Sequence, residues 1–161
     1  MILFHGSNVE VKRPKILNVR RGLDFGAGFY ATSDLQQAQR WAKLTTNRRR
    51  TGVPTVSAYD FDYENASQEI KVMAFDKPNK DWLEFVSANR TCQYTGEKFD
   101  LVIGPVANDK TILTINDYIS GAISSETALI LLEPTKLSDQ YAFLTHKALS
   151  FLRCEGVEYY A

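Results

Sequence analysis

Leu23-Asp24-Phe25-Gly26-Ala27-Gly28-Phe29-Tyr30-Ala31-Thr32 is the stretch on which the fold of this chain turns. Two glycines one residue apart, followed by an aromatic pair, suit a tight turn that delivers Tyr30 either into a core or into a cleft. Phe29-Tyr30-Ala31 then reads as a short strand, and it leads into the clearest helical pattern in the chain. Ser33 and Gln36 have capping-box spacing, and Leu35, Ala38, Trp41 and Ala42 share one face. No lysine–hydroxyl pair follows the glycines, so the turn is not a phosphate loop. No G-x-G-x-x-G joins a strand to a helix either, which argues against a doubly wound nucleotide-binding sheet.

Outward from this stretch, Ile2 to Phe4 is an apolar run that His5-Gly6-Ser7 ends in a turn. That cluster has two readings. It is a strand ending with a hydrogen-bonded His5 at its edge, or it is a ligand-binding strand end. In the second case Gly6 lets the backbone approach a planar amide and His5 offers its ring nitrogens to a hydroxyl. Residues 8 to 28 are polar, basic and glycine-bearing, and a loop of that length in a small domain is usually functional. Downstream, the patterns predict strands over 56–63, 70–75, 99–103, 141–144 and 157–160. They predict helices over 110–120, 125–133 and 146–153, and a further helix capped by Asn79 that aligns Trp82, Phe85, Val86 and Asn89. Trp41 and Trp82 are expected in the core. Strands scattered among helices without regular alternation point to an α+β domain.

The chain has 161 residues, within the roughly 100–200 typical of one domain, so residues 1–161 are expected to form a single one. Lys plus Arg and Asp plus Glu balance at 19 each, which leaves no global field to attract duplex nucleic acid or an anionic membrane. Two cysteines make neither a disulfide framework nor a zinc cage, and no metal is expected. The short apolar start lacks a signal-peptide core, and no stretch approaches the ~20 apolar residues of a membrane span, so a cytoplasmic protein is the expectation.

Taken together, His5-Gly6-Ser7 after a strand, then Gly26-Ala27-Gly28-Phe29-Tyr30-Ala31-Thr32 and a capped helix, resemble the ADP-ribosyltransferase superfamily. The likeness is to its histidine–tyrosine branch, which includes diphtheria toxin and the poly(ADP-ribose) polymerases. More closely, the chain resembles a bacterial domain family placed in that superfamily. The shared stretches are Leu23 to Tyr30, Asn89-Arg90, Asp100 to Asp109 and Gln140 to Phe143, which between them span nearly the whole sequence.

The resemblance implies an ADP-ribosyltransferase-like split mixed β-sheet core with flanking helices, and NAD as co-substrate. It implies that His5 holds the adenine ribose, that the Gly6 backbone takes the nicotinamide carboxamide and that Tyr30 stacks on the nicotinamide ring. Gln140 falls where a residue, often glutamate, hydrogen-bonds the nicotinamide ribose. Ser7, Arg20, Gly28 and Asn108 complete the expected NAD contacts. A carboxamide carries no charge to offset an oxocarbenium ion and cannot act as a general base, which argues against chain extension and for a single transfer. Asp24, Asp109 and Glu133 are the carboxylates that could assist. The implied activity is mono-ADP-ribosyl transfer to a protein or a single-stranded nucleic acid. NAD glycohydrolysis and non-catalytic NAD or ADP-ribose binding are the alternatives. Toxins and phage-defence effectors controlled by a small neutralising partner are the implied context.

Several residues keep two readings. Asn108-Asp109 faces the cleft or caps the next helix. Asp100 sits at an edge or pairs with Arg90. Arg20 and Arg21 meet a pyrophosphate or lie solvated on the surface. Arg48-Arg49-Arg50 complements a helix C-terminus or guides an acidic target into the cleft.

Overall fold

Strands and helices intermingle without a fixed period in the computed structural model, which describes residues 1–17, 22–107 and 111–160. In chain order the elements are β1 (Ile2–Ser7), β2 (Phe29–Ala31), α1 (Leu35–Arg49), β3 (Thr55–Phe61), α2 (Tyr63–Glu69), β4 (Val72–Ala74) and α3 (Lys80–Arg90). They continue with β5 (Leu101–Pro105), α4 (Ile112–Ile119), α5 (Ser125–Leu132), β6 (Asp139–Phe143), α6 (His146–Leu149) and β7 (Leu152–Tyr159). The strands form two sheets, one antiparallel in the order β1-β3-β7 and one in the order β2-β6-β5-β4, where only the β4–β5 pair is parallel. The domain is therefore α+β.

Side-chain alternation along each strand decides the layers. Leu3, Tyr59 and Phe61 of the first sheet meet Phe29, Leu101 and Phe143 of the second, and all six are buried. On the other face of the second sheet, Val102 and Ala142 pack with Trp82, Leu83 and Val86 of α3, Ile115 of α4 and Leu132 of α5. Helix α1 covers the outer face of the first sheet through Ala38 and Ala42 against Val56. Two alanines at that spacing allow a close approach, and Gly6 carries it further. A Cβ on Gly6 would lie 1.9 Å from the Ala38 carbonyl oxygen and 2.7 Å from the Ala42 nitrogen. The glycine thus serves helix packing, and β1 runs straight through His5-Gly6-Ser7 instead of turning there.

Other boundaries move for local reasons. Asp34, not Ser33, caps α1, accepting from Gln36 N at 2.9 Å and Gln37 N at 3.2 Å. Ser33 is taken by the Asp139 carboxylate at the start of β6. Asn79 caps α3 as expected, through Trp82 N at 2.9 Å. Asp62 caps α2, a helix the sequence patterns do not signal, because its seven residues bury only Ala66. The strand expected over 157–160 starts earlier, at Leu152, and shortens α6 to four residues. No helix among the described residues is long and apolar enough to cross a membrane.

Among the described residues, one backbone bridge links the edges of the two sheets. Phe4 exchanges both backbone hydrogen bonds with Thr32, its N–H donating to Thr32 O at 2.7 Å and its O accepting from Thr32 N at 2.9 Å. Beyond that bridge β1 and β2 diverge, and a fork opens between them.

Candidate functional site

The fork widens into a cleft of about 880 Å³ whose walls come from both sheets. His5, Gly6 and Ser7 of β1 line it, as do Gly28 in the turn before β2, Tyr30 of β2 and Gln140 of β6. Arg90 of α3 lines it as well, and so does the outer side of α1 through Trp41, Leu44, Arg48 and Arg49.

At the fork itself, backbone groups alternate sides along a strand. Phe4 faces β2, so Gly6 turns its N–H and C=O to the same edge, where the sheets have parted and no described residue takes them up. His5 points to the opposite face of β1 from the side that packs on α1. Its ring lies against Phe29, centroids 4.3 Å apart, and its Nδ1 stands 2.6 Å from Tyr30 O. A carbonyl only accepts, so Nδ1 carries the proton and donates. Burial holds the imidazole down at about 4, against the upward pull of that hydrogen bond, and the charge of Arg49 lowers it further. The neutral ring therefore keeps an unprotonated Nε2, an acceptor suited to a hydroxyl.

Tyr30 is fixed at its far end. Its hydroxyl donates to Gly26 O at 2.6 Å and accepts from Phe25 N at 3.0 Å. Burial chiefly, with Asp24's charge adding to it, raises its ionisation well above that of a free phenol. The hydroxyl is spent on its own loop, so what Tyr30 can offer a ligand is a rigid ring. Gly28 seats that loop on β6: a Cβ there would come within 2.7 Å of Phe143 O and of the Leu144 side chain.

Asp24 is the polar hub. One carboxylate oxygen accepts from Arg90 Nη1 at 2.6 Å, and the other accepts from Ala107 N at 3.0 Å and from Gln140 Nε2 at 2.9 Å. Asp24 and Gln140 are 7% and 3% exposed, so both are shielded from water although both border the cleft. These bonds assign the amide: a carboxylate cannot donate, so the nitrogen of Gln140 faces Asp24 and the carbonyl oxygen is the other end.

Charge is distributed unevenly. The described lining residues include Arg13, Lys15, Arg48, Arg49 and Arg90, with Asp24 as the one carboxylate. A chain with balanced overall charge thus folds to put a cationic wall on this cleft. Arg49 is aimed by buried Asn8, whose Oδ1 it reaches at 2.8 Å, while Asn8 Nδ2 ties Thr51 O at 3.1 Å.

Residues 1–154 match the model of a family described as a protein of unknown function, DUF3990. The chain belongs to that family. No curated protein and no solved structure matches it.

Of the residues singled out from sequence, His5, Gly6, Ser7, Gly28, Tyr30 and Gln140 all border the one cleft. Arg20, Arg21, Asn108 and Asp109 lie outside the described residues. Glu133 is exposed at the end of α5 and does not border the cleft, whereas Asp24 does. Arg90 pairs with Asp24 and not with Asp100. Asp100 instead accepts from Lys71 N at 2.8 Å and Thr145 Oγ at 2.7 Å, fastening β5 to its neighbours. Trp82 is fully buried, its indole N–H donating to Pro105 O at 2.9 Å. Trp41 is not core: it is half-buried and lines the cleft. Helical periodicity could not distinguish the two tryptophans, because a cleft wall and a core both favour an apolar face. The Asn8–Arg49 tie and the Asp24–Arg90 pair span 41 and 66 residues, and no local pattern signals them.

Proposed function

We propose that the protein is a mono-ADP-ribosyltransferase that seats NAD in the fork cleft and transfers one ADP-ribose to a macromolecular acceptor, a protein or a single-stranded nucleic acid. What carries this reading is the meeting of His5, Tyr30 and Gln140 on one cleft from positions far apart in the sequence. The two sheets parting around a fork also fit an ADP-ribosyltransferase-like core.

In this reading the N–H and C=O of Gly6 receive the nicotinamide carboxamide, which needs one acceptor and one donor side by side. The Tyr30 ring lies under the nicotinamide and excludes water from that side. His5 accepts a ribose hydroxyl at Nε2. The cationic wall of Arg13, Lys15, Arg48 and Arg49 suits the pyrophosphate, and Trp41 gives the adenosine end a flat apolar surface. The bond from C1′ to the nicotinamide nitrogen breaks, and its electron pair leaves with neutral nicotinamide. The acceptor's lone pair forms the new bond to C1′, and any proton it carried passes to solvent. Gln140 contributes at the ribose, where positive charge grows during bond cleavage. A bacterial toxin or phage-defence role, checked by a small neutralising protein in the cytoplasm, rests on the family resemblance alone.

One observation favours a second reading, NAD or ADP-ribose binding without turnover: an amide stands where a carboxylate would stabilise charge best. Incubation with NAD labelled in its adenylate half separates the outcomes. Label fixed to a macromolecule supports transfer, released ADP-ribose supports hydrolysis, and intact NAD with a measurable binding heat supports the binding module. No heat and no consumption overturns all three.

A further inference from the structure

Gln140 lies at a point where an amide looks chemically underpowered, yet it is not alone there. Its Nε2 donates to Asp24 at 2.9 Å, and the carboxylate is itself held by Arg90 and by the Ala107 N–H. Three donors fix Asp24, and Asp24 in turn fixes one rotamer and one flip state of Gln140. We infer that Asp24 and Gln140 act as one positioning unit, in which Asp24 orients and polarises the Gln140 carboxamide so that its carbonyl oxygen serves as the acceptor for a ligand hydroxyl. The inference rests on the transferase reading and names the group that makes an amide adequate there.

The physical case has three parts. An amide whose N–H donates to a buried carboxylate carries more negative charge on its oxygen, because hydrogen bonds in series polarise one another in a low-dielectric setting. Second, the carboxylate is out of water at 7% exposure, so its field at the cleft is screened less than that of a surface acid. Third, the arrangement reverses the expectation attached to an acidic residue at this position. A glutamate at 140 would face Asp24 carboxylate to carboxylate at hydrogen-bond distance, and like charges that close cannot both stay ionised. The fold is thus matched to glutamine. The charged group on the pair is Arg90 from α3, while the Tyr30 phenol from β2 and the His5 ring from β1, both neutral, border the same cleft.

The step served is the cleavage described above. A ribose hydroxyl donates to the Gln140 carbonyl oxygen, and that bond strengthens as C1′ becomes electron-poor. No proton need change hands at Gln140.

Asp24→Asn, Gln140→Glu and the double exchange Asp24→Asn/Gln140→Glu test the unit with NAD as the probe. Asp24→Asn should lower kcat about tenfold or more with KM nearly unchanged, since orientation in the transition state is lost but the cleft remains. Gln140→Glu should also lower kcat, and its Tm should fall more steeply than the wild type's between about pH 5 and 8, as the proton shared by the two acids is lost. The double exchange restores one acid facing one amide and should recover at least about tenfold over the product of the single losses. Should Asp24→Asn fail to fold, the Gln140→Glu pH profile carries the test alone. Gln140→Glu matching or exceeding the wild type, with a parallel Tm profile, overturns the inference. An active wild type with an unaffected Asp24→Asn variant sinks this proposal only; a wild type that neither binds nor consumes NAD sinks the transferase reading as well.

Discussion

Protonation of His5 offers a direct test of the fork. The structure puts its folded-state value at about 4 against an ordinary 6.5, so the unfolded chain takes up the proton first as pH falls. Stability linked to this ring is therefore complete above the unfolded value and drains away as pH drops from 6.5 toward 4. At about pH 4.5 the unfolded imidazole is almost fully charged and the folded one mostly neutral, which costs the fold roughly 2–3 kcal/mol. That figure is a ceiling, because the ring is only half-buried and water at the cleft mouth screens part of the effect. Carboxylates such as Asp34 and Asp100, whose hydrogen bonds hold them below their usual range, also weaken the fold in acid and must be subtracted. His5→Asn does this, since Asn keeps a donor near Nδ1 for the Tyr30 carbonyl but does not titrate. Urea unfolding of both proteins from about pH 7 to 4.5 should show the wild type losing roughly 2 kcal/mol more than the variant. Parallel losses would refute the desolvated imidazole, and with it the argument that Nε2 stands ready as an acceptor.

Three further outcomes are expected. Gly6→Ala should destabilise the protein by about 2 kcal/mol or more, because its Cβ would collide with the backbone of α1, and a Tm unchanged from wild type would contradict that packing. Tyr30→Phe removes one bond given to Gly26 O and one taken from Phe25 N, at a cost of about 1–3 kcal/mol; amide exchange over residues 23–28 should quicken, and no change there would mean the loop is held otherwise. Trp41→Ala should weaken NAD binding measured by calorimetry while lowering Tm by no more than a few degrees, since the ring borders the cleft and is not core; a collapse of stability with unaltered affinity would reverse the assignment.

Some of the chemistry that is complete within a few residues was readable along the chain. Asn79 announced α3 because its cap bond closes three positions on, at Trp82 N. Strand β5 stood out because burial on both faces makes Leu101-Val102-Ile103 a continuous apolar run. His5, Tyr30 and Gln140 were legible as types through family resemblance, and their placement was not, because it depends on how two sheets split beyond a single bridge. Ser33 lost its cap role to Asp34 only because Asp139 arrives from β6, 106 residues away.

What the sequence determined alone was therefore the α+β class, most of the element list and the residue types gathered near the fork. Tertiary structure decided the rest: that Gly6 makes room for a helix, that Trp41 borders the cleft while Trp82 fills the core, and that Asp24 holds Gln140. The reason is physical. Caps and periodicities act over one or two turns of chain, where neighbours are fixed by covalent connection. Burial, charge pairing and amide orientation depend on which distant groups share a small volume, and that is settled only when both sheets are packed.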